Sequence, residues 1–447
     1  MNKLLIIDDE DQIRKLLSRL LGLEGYEVIQ AVDCTTGLRQ AEIHQPQVII
    51  CDVRLPDGNG IDLIEKIKKV SPLAELIMLT AHGNIHDGVQ AIKNGAFDYI
   101  TKGDDNNKIV PLISRAMEKS IMSQRLLQLE AEVGKKYSFD SIIGNSKLIH
   151  DAILLAQKVA TTDIPVLLTG ETGTGKEVFA QSIHVASLRK NRAFVAVNCS
   201  AFSKELLGSE IFGHKAGSFT GATKDKKGLF EEANNGTIFL DEIGEMEFEL
   251  QAKLLRIIET GEFLKIGDTK PTKVNVRIIA ATNRNLQKEI EENRFREDLF
   301  YRLSVFQIHL PSLRDRSEDI ELLTRMFIRT FSTKLNIKIS SISQEYIEAL
   351  MRNQWRGNIR ELRNVIERSI IVCNDNSLAM TDLPIEILNQ QLVNIKDKNS
   401  SEFDMSTMER RHIARVLQFT RGNKTETARL LKIGLTTLYR KIEEYGL

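Results

Sequence analysis

The sequence predicts a multidomain α/β chain that ends in an all-helical part. Short apolar runs alternate with amphipathic helical stretches in two separate blocks, which is typical of parallel sheets covered by helices on both faces. From about residue 311 onward the periodicity is helical. The 447 residues are also too many for one hydrophobic core and predict about three domains.

The composition excludes several classes of protein. Hydrophobic residues make up 42% and charged residues 27% of the chain, as in an ordinary globular protein, and 61 basic residues match 61 acidic ones. The cysteines form no Cys-x-x-Cys pair, so we expect neither a disulfide framework nor a zinc site. The apolar run Leu4–Ile7 is too short for a signal peptide, and no run approaches the ~18 residues of a membrane span. We therefore expect a cytoplasmic protein without a membrane segment.

Polar side chains follow the predicted strands of the first block. Asp8 and Asp9 come after the first strand, Asp52 after the third, Thr80 after the fourth and Lys102 after the fifth. The carboxyl ends of parallel strands share one edge of the sheet, and clustered carboxylates there predict a Mg²⁺ site. The set suits phosphoryl transfer: one aspartate is the nucleophile, Lys102 and the metal neutralise charge, and Thr80 binds the product.

Residues 1–121 resemble the receiver domain of two-component response regulators, which has a flavodoxin-like fold. The strings Asp52–Gly60 and Thr80-Ala81 carry the resemblance. It implies that Asp52 is the phosphoacceptor and that a sensor histidine kinase is a partner. Gly103 stands where the family has Pro after the lysine, so we expect a looser loop after Lys102.

The same resemblance assigns the remaining residues of this site. It implies that Asp8, Asp9 and the Arg54 carbonyl bind the metal together with the phosphoacceptor. It also implies that Tyr99 is the aromatic switch partner of Thr80. The following stretch, 122–138, predicts a linker helix. Two interpretations of that helix stay open: it pairs with a second copy, or it is a solvated linker.

The second block contains a glycine-rich loop between an apolar strand and a helical pattern. The glycines let backbone N–H groups surround phosphates, the helix amino terminus adds positive charge, and Lys176 reaches the β- and γ-phosphates. Glu177 replaces the usual hydroxyl residue, so the expected hydroxyl ligand to Mg²⁺ is missing. The predicted ATP-binding residues of this phosphate-binding loop and the following helix start are Gly170, Glu171, Thr172, Gly173, Thr174, Gly175, Lys176 and Glu177.

Two further strands of this block end in polar residues. The buried strand Thr237–Leu240 is followed by Asp241, which can hold Mg²⁺, and Glu242, which can polarise the attacking water. Asn283 ends the next strand, predicted over Val274–Ala281, and can orient that water. These residues together predict an ATP-hydrolysing site.

Residues 139–384 resemble the AAA+ domain of NtrC-type activators of the sigma factor sigma-54. The resemblance implies a P-loop α/β subdomain over 139–310 and a helical lid over 311–384, and it makes Glu177 a family trait. It implies that Asn198 restrains the catalytic glutamate, that Arg296 and Arg302 are arginine fingers acting on another copy, and that Arg360 faces the nucleotide. On pattern alone, a surface ion-pair helix is the alternative for the two fingers. The spacing of Asn358 and Glu361 also predicts a capping-box start of the last helix.

The string Glu210–Ala222 resembles the family's loop that touches the sigma factor. The resemblance implies that the loop contacts sigma-54 RNA polymerase, with Phe219 as an exposed aromatic anchor. A glycine-rich turn with one buried Phe is the alternative. The contact residues implied are Gly217, Ser218, Phe219, Thr220, Gly221 and Ala222.

The end of the chain is a polar stretch, 385–403, followed by a short basic helical segment, 404–447. We expect a flexible linker and a helix-turn-helix domain that binds double-stranded DNA. The segment resembles the Fis-type domain that ends NtrC-type activators; a helical dimerisation tail is the alternative. Lys432 stands where the family often has Gly, which weakens the predicted helix cap. The expected DNA contacts are Thr436, Thr437, Arg440 and Lys441.

These resemblances cover nearly the whole chain and its order of domains. They imply a phosphorylation-controlled, ATP-hydrolysing transcription activator that remodels sigma-54 polymerase from an upstream DNA site. ATP and Mg²⁺ are the implied cofactors, and the implied assembly runs from a dimer to a hexameric ring. The alternatives are a DNA-binding regulator that does not require ATP hydrolysis and a protein unfoldase. Lys176, Asp241 and Glu242 favour the activator over the first alternative.

Overall fold

The computed structural model describes residues 2–80, 85–102, 106–202, 204–219, 222–373, 375–388, 405–420 and 422–446. It separates into two compact units, Met1–Lys136 and Tyr137–Leu447. Most of the predicted linker, from residue 389 onward, lies outside the described residues. The four cysteines are free, as expected. No helix in the described part of the chain is long and apolar enough to cross a membrane.

The first unit is built on a five-stranded parallel sheet in the order β2-β1-β3-β6-β7. Its central strands are fully buried apolar runs, as parallel strands covered on both faces require. The strands are β1 (Lys3–Ile7), β2 (Glu27–Ala31), β3 (Val48–Asp52), β4 (Arg54–Leu55), β5 (Gly58–Asn59), β6 (Glu75–Thr80) and β7 (Asp98–Thr101). The helices are α1 (Asp11–Leu23), α2 (Cys34–His44), α3 (Gly60–Val70), α4 (Ile85–Lys93) and α5 (Asn106–Lys136).

Helix α5 runs without interruption across the boundary that the sequence places between receiver and linker. Its first half packs on the sheet through buried residues such as Ile113 and Met117. Beyond the sheet its apolar side chains are exposed, with Met122 at 74% and Leu126 at 58%. The linker helix is therefore the second half of α5.

The second unit contains a five-stranded parallel sheet in the order β14-β8-β13-β10-β9 and a short antiparallel hairpin, β11-β12. The strands are β8 (Val166–Thr169), β9 (Phe194–Asn198), β10 (Thr237–Asp241), β11 (Glu262–Leu264), β12 (Pro271–Lys273), β13 (Arg277–Thr282) and β14 (Phe306–His309). The helices of this part are α6 (Lys147–Ala160), α7 (Lys176–Val185), α8 (Lys204–Phe212), α9 (Leu229–Glu232), α10 (Phe248–Thr260), α11 (Leu286–Glu291) and α12 (Glu297–Leu303). Strands β9 and β14 were not predicted, and β13 begins three residues later than expected.

Three long helices form the lid, α13 (Asp319–Leu335), α14 (Gln344–Arg352) and α15 (Asn358–Val372). The expectation of an all-helical lid is wrong in one detail, because a two-residue parallel pair joins the segment between α13 and α14 to the segment after α15, β15 (Ser341–Ile342) with β16 (Ser377–Leu378). Trp355, 1% exposed, lies at the centre of the lid core and donates its indole N–H to the Leu350 carbonyl at 2.7 Å.

The last three helices form a small bundle, α16 (Met405–Phe419), α17 (Lys424–Leu431) and α18 (Leu435–Tyr445). Their core consists of Ile413, Ala428 and Leu438. Lys432 ends α17 in the left-handed conformation, with φ +54°. This conformation costs a side-chain-bearing residue roughly 1–2 kcal/mol, which explains why glycine is favoured at this position.

Candidate functional site

The carboxyl edge of the first sheet gathers three carboxylates around one ammonium. Lys102 Nζ lies 2.5 Å from Asp52 Oδ2, 2.9 Å from Asp8 Oδ2 and 2.9 Å from Glu10 Oε1. Asp8 follows β1, Asp52 ends β3 and Lys102 follows β7, so residues from three strands meet at one edge of the sheet, with β6 between β3 and β7. The sequence did not single out Glu10, although it lies only two residues after Asp8.

Electrostatics explain why the cluster is stable with a cation at its centre. Burial raises the pKa of Asp8, and the nearby Lys102 ammonium and the Glu10 N–H oppose that shift. Burial would lower the pKa of Lys102, but its contacts with Asp52, Glu10 and Asp8 outweigh burial and raise that pKa. The buried Asp8 carboxylate therefore depends on the nearby positive charge of Lys102.

The site fits a divalent cation. Ligand oxygens of Asp8, Glu10 and Asp52 all lie within 4.8 Å of one another. Asp8 Oδ2 is buried and accepts no well-directed hydrogen bond, although Lys102 lies near it. Hard oxygen ligands of this kind suit Mg²⁺. Asp9 is exposed and is not a member of this group of three, so the structure does not bring the predicted Asp9 ligand into the cluster.

The two predicted switch residues lie on neighbouring strands. Thr80 is buried at the end of β6, and Tyr99 lies on β7 with 37% of its surface exposed. The Tyr99 ring packs on α4 where Gly88 has no side chain, since a Cβ on Gly88 would stand 2.8 Å from ring atoms. Ala81 and Gly103 lie outside the described residues.

In the second unit a cavity of about 380 Å³ opens between the phosphate-binding loop, the end of β10 and the lid. Lys176 is 6% exposed and donates to the carbonyls of Gly170 (2.9 Å) and Glu171 (3.1 Å). Burial lowers the pKa of Lys176, and the charges of Glu242 and Asp241 oppose that effect. The ammonium therefore stands at the loop's edge with two carboxylates nearby, ready to exchange carbonyl partners for a phosphate.

Glu242 has the features of a general base. It adopts a left-handed backbone conformation, φ +53°, which is unusual for a residue with a side chain and concentrates at functional sites. Burial raises the pKa of Glu242, whereas the charge of Lys176 lowers it. Asp241 and Glu242 both line the cavity. A carboxylate with a raised pKa accepts a proton from water more readily.

The two predicted asparagines hold other partners. Asn283 Nδ2 donates to Thr172 Oγ1 at 2.9 Å, so it contacts the phosphate-binding loop directly. Asn198 Oδ1 accepts from the Ser200 N–H (2.8 Å) and hydroxyl (2.7 Å). Within the described residues no hydrogen bond joins Asn198 to Glu242, although Asn198 pairs in register with Asp241. Glu177 is exposed and accepts from Gln181 at 3.2 Å.

The cavity receives arginines from the lid but not the two predicted fingers. Arg316, Arg360 and Arg363 line it, and only Arg360 was predicted. Arg296 pairs with Asp298 at 2.7 Å and is 31% exposed at its side chain. Arg302 pairs with Glu259 at 3.2 Å and is 59% exposed. Neither finger lines this cavity.

Of the two hydrogen bonds that define the predicted capping box, the structure contains the one to the Glu361 carboxylate but not the one to the Asn358 side chain. The Glu361 carboxylate does accept a backbone N–H at the start of α15, from Gly357 at 2.7 Å. Asn358 itself has φ +53°, and its side chain bonds the phosphate-binding loop instead of the helix. Sequence spacing identified the helix start but could not show the direction of this side chain.

The described ends of the predicted sigma-factor loop lie beside the β11-β12 hairpin, where the Lys215 N–H donates to the Ile266 carbonyl at 3.0 Å. The Gly217 N–H donates to the Ala222 carbonyl at 2.8 Å, and Gly217 has φ +81°. Phe219 is 41% exposed and packs edge-on against His214, with ring centroids 5.0 Å apart. The side-chain oxygen of Ser218 is buried without a hydrogen-bond partner. Thr220 and Gly221 lie outside the described residues.

The predicted DNA-contact residues lie on α18. Thr436 and Arg440 are exposed, and Thr437 is half-buried. Lys441 pairs with Glu409 of α16 at 2.5 Å and also lies over the Tyr445 ring at 5.5 Å. Thr436 and Arg440 therefore face solvent, whereas Lys441 would have to exchange its partner to bind a phosphate.

Four family profiles match the chain in the order of its domains. They are a sigma-54 interaction domain over residues 142–309, a response regulator receiver domain over 4–114, an AAA+ ATPase lid domain over 314–400 and a bacterial regulatory protein of the Fis family over 405–445.

Individual proteins also align over nearly the whole chain. The regulatory protein AtoC of Escherichia coli (strain K12) is 40% identical over 456 residues, which cover 100% of this chain and 98% of AtoC. The DNA-binding transcriptional regulator NtrC of the same strain is 35% identical over 473 residues, covering 99% of this chain and 98% of NtrC. A crystal structure of NtrX from Brucella abortus in complex with ATP matches with TM-score 0.65 and 31% identity, covering 100% of this chain and 99% of that one.

A receiver sheet, a nucleotide cavity under a helical lid and a helix-turn-helix bundle define a DNA-binding ATPase under receiver control. With the whole-length matches, the chain belongs to the NtrC-type family of sigma-54-dependent response regulators. It is a two-component transcription activator that binds and hydrolyses ATP. These matches confirm the predicted fold class and function. They favour an ATP-hydrolysing activator over the two alternatives, a regulator without ATP hydrolysis and a protein unfoldase.

We expect Lys102→Ala to destabilise the edge of the receiver sheet by about 3 kcal/mol, because the buried carboxylates of Asp8 and Asp52 lose the cation that they share with the exposed Glu10. Hydrogen exchange of the β1 and β3 amides in the full-length chain measures this effect in the presence of a chelator. Added Mg²⁺ should restore most of the protection, since it supplies the missing positive charge.

The matched control is Lys93→Ala, which removes an exposed lysine at the end of α4. It should leave the exchange of β1 and β3 unchanged with or without Mg²⁺. Equal protection in Lys102→Ala and the unsubstituted protein under chelation would show that Lys102 does not hold the carboxylates together.

Proposed function

We propose that the ATPase site becomes complete only when copies of this chain assemble into a ring. One observation carries the proposal: the cavity of a single chain contains Lys176, Asp241, Glu242 and Arg360, but not the predicted fingers Arg296 and Arg302. Those two arginines lie on or next to the short helix α12, with partly exposed side chains and surface carboxylates as partners. Such ion pairs are weak and easily exchanged, so the guanidinium groups can serve the phosphate of a neighbouring copy.

The residues of one chain divide the work at this site. Lys176 binds the β- and γ-phosphates by giving up its two carbonyl partners, and Arg360 contacts the nucleotide from the lid. Glu242 takes a proton from the attacking water, and Asn283 keeps that water and Thr172 in place. Asp241 would hold a Mg²⁺ ion, which neutralises phosphate charge when bound.

In the receiver, Asp52 takes a phosphoryl group from a sensor histidine kinase. A carboxylate oxygen of Asp52 attacks phosphorus, the phosphorus–nitrogen bond of the phosphohistidine breaks, and the histidine leaves. Lys102, 2.5 Å from Asp52 Oδ2, offsets the negative charge that develops. Asp8, Glu10 and Asp52 would hold Mg²⁺, and the Thr80 hydroxyl would bind the transferred phosphoryl group while Tyr99 follows it.

Two surfaces of the second unit would meet the other partners. The loop at Gly217–Ala222 would present Phe219 to sigma-54, since 41% of its surface is exposed while its ring packs edge-on against His214. Helix α18 would enter the major groove with Thr436 and Arg440 exposed, and with Thr437 and Lys441 beside them.

The shared site predicts that hydrolysis depends on assembly. The specific ATPase activity should rise with protein concentration as rings form. Arg296→Ala and Arg302→Ala should each lower kcat by about 10³-fold, because a finger stabilises the transferred charge only in the transition state. Both variants should still bind a fluorescent ATP analogue, whereas Lys176→Ala should not. Turnover that is independent of concentration, together with full activity in both arginine variants, contradicts the shared site.

The sigma-54 contact predicts a separation of functions. Phe219→Ala should keep DNA binding and most ATPase activity, because Phe219 is remote from the cavity residues. It should reduce open-complex formation at a sigma-54 promoter by about 30-fold or more, as the loss of an aromatic interface anchor does. The neighbouring Ser218→Ala serves as control and should keep activity, since it only removes an unpartnered hydroxyl. Normal promoter opening by Phe219→Ala in a purified transcription assay would show that this loop is not the contact.

A further inference from the structure

Every backbone carbonyl from Gly170 to Thr174 of the phosphate-binding loop accepts a hydrogen bond. Lys176 Nζ donates to the first two, the carbonyls of Gly170 and Glu171. Asn358 Nδ2 donates to the Thr172 carbonyl (3.0 Å), the Ile359 N–H to that of Gly173 (3.0 Å) and Arg316 Nη2 to that of Thr174 (3.3 Å). The last three donors all belong to the lid. The lid therefore holds the carbonyls of three consecutive loop residues.

The geometry of the peptide bond gives this arrangement a consequence. In a planar trans peptide the C=O and the following N–H point in opposite directions. A donor that holds the Thr172 carbonyl toward the lid therefore fixes the Gly173 N–H in the opposite direction. By the same geometry, the hydrogen bond from Arg316 to the Thr174 carbonyl sets the direction of the Gly175 N–H. Backbone N–H groups of such a loop are what bind phosphate oxygens.

Asn358 is built into this contact more completely than the other donors. It is fully buried, and its Oδ1 accepts from the Leu313 N–H at 2.7 Å. Its Nδ2 donates both to the Thr172 carbonyl and to Glu171 Oε2, at 3.1 Å. A single amide group is needed, since it supplies donor and acceptor together, and asparagine tolerates the positive φ found here.

The neighbouring contacts leave the loop and the lid little freedom to move apart. Arg314 makes a bidentate ion pair with Glu171, at 2.5 and 2.9 Å, so this carboxylate is neutralised close to the phosphate site. A Cβ on Gly173 would stand 2.2 Å from the Gly357 carbonyl oxygen, so the two backbones touch directly. Arg360, which lines the nucleotide cavity, follows Asn358 by two residues on α15.

We propose that Asn358 is a positioning residue of the ATPase, whose side-chain amide orients the phosphate-binding loop from the lid, with Glu171 and Arg314 completing the link. This inference rests on the proposed assignment of Gly170–Lys176 to the nucleotide phosphates. Nucleotide contact with Arg360 and the shape of the phosphate-binding loop are then coupled through one helix end. A movement of the lid would change the conformation of the phosphate-binding loop, and a nucleotide bound in the loop would hold the lid in place.

The test is Asn358→Asp in the full-length chain. The introduced carboxylate keeps the acceptor for Leu313 and tolerates the positive φ, but it replaces the donor and faces Glu171 and the Thr172 carbonyl. Titration with a fluorescent ATP analogue should show about tenfold weaker binding, the effect of losing one buried hydrogen bond to a charged partner. The KM for ATP should rise by a similar factor, with a smaller change in kcat.

The matched control is Asn336→Asp, the same substitution at an exposed, left-handed asparagine that ends α13 of the same lid. It should leave nucleotide affinity unchanged. Glu171→Gln added to Asn358→Asp should recover part of the lost affinity, because the new amide can donate to the introduced carboxylate. A lid that is merely destabilised would not be rescued by a substitution in the phosphate-binding loop.

Two outcomes overturn the inference in distinguishable ways. Unchanged affinity in Asn358→Asp, with binding lost in Lys176→Ala, would leave the phosphate-binding loop assigned and remove the positioning role. Unchanged affinity in both variants would refute the loop assignment itself. If Asn358→Asp does not fold, Asn358→Gly accepts the positive φ without the amide and should show the same loss. Unchanged affinity in that variant would equally overturn the proposal.

Discussion

Lys102 and Lys176 each place a largely buried ammonium among oxygen atoms at the carboxyl edge of a parallel sheet. Parallel strands bring their carboxyl ends to one edge, so the acidic residues that follow them are forced together and repel one another. Lys102 offsets three carboxylates directly, and Lys176 stands near Asp241 and Glu242 while its hydrogen bonds go to carbonyls. Each site is therefore prepared for an incoming anion, since the positive charge is already in place before the phosphoryl group or nucleotide arrives.

The second unit extends this preparation beyond the sheet. Its lid supplies arginines to the cavity and hydrogen-bond donors to the phosphate-binding loop, so a nucleotide bound in this cavity would contact both subdomains of one chain. The groups proposed to complete the chemistry lie elsewhere, next to or on α12, in exchangeable surface ion pairs. Binding within one chain and catalysis between chains would make hydrolysis depend on assembly. The receiver could then control the ATPase activity by controlling assembly.

The sequence was informative wherever topology determines position. The strand ends carry Asp8, Asp52, Asp241 and Asn283. In a parallel sheet these ends lie along one edge, so the positions of the residues follow from the topology. Side-chain direction was not predictable in the same way. The spacing of Asn358 fits a helix cap, but its positive φ turns the amide toward the phosphate-binding loop, and only the fold reveals that the loop is there. Asn198 binds Ser200, Lys441 binds Glu409 and Glu10 joins the Lys102 cluster, because local loop geometry and tertiary partners decide these contacts.

The central claim is that one ATP site draws residues from two copies, and complementation between inactive chains tests it most directly. Lys176→Ala retains its arginines but lacks the phosphate-binding ammonium, whereas Arg302→Ala retains that ammonium but lacks a finger. The ATPase activity of an equimolar mixture of the two is the measurement. The account predicts that the mixture is active although each chain alone is not, because some neighbouring pairs combine an intact loop with an intact finger. A mixture no more active than its separate components, under conditions where the two chains form mixed assemblies, would contradict it.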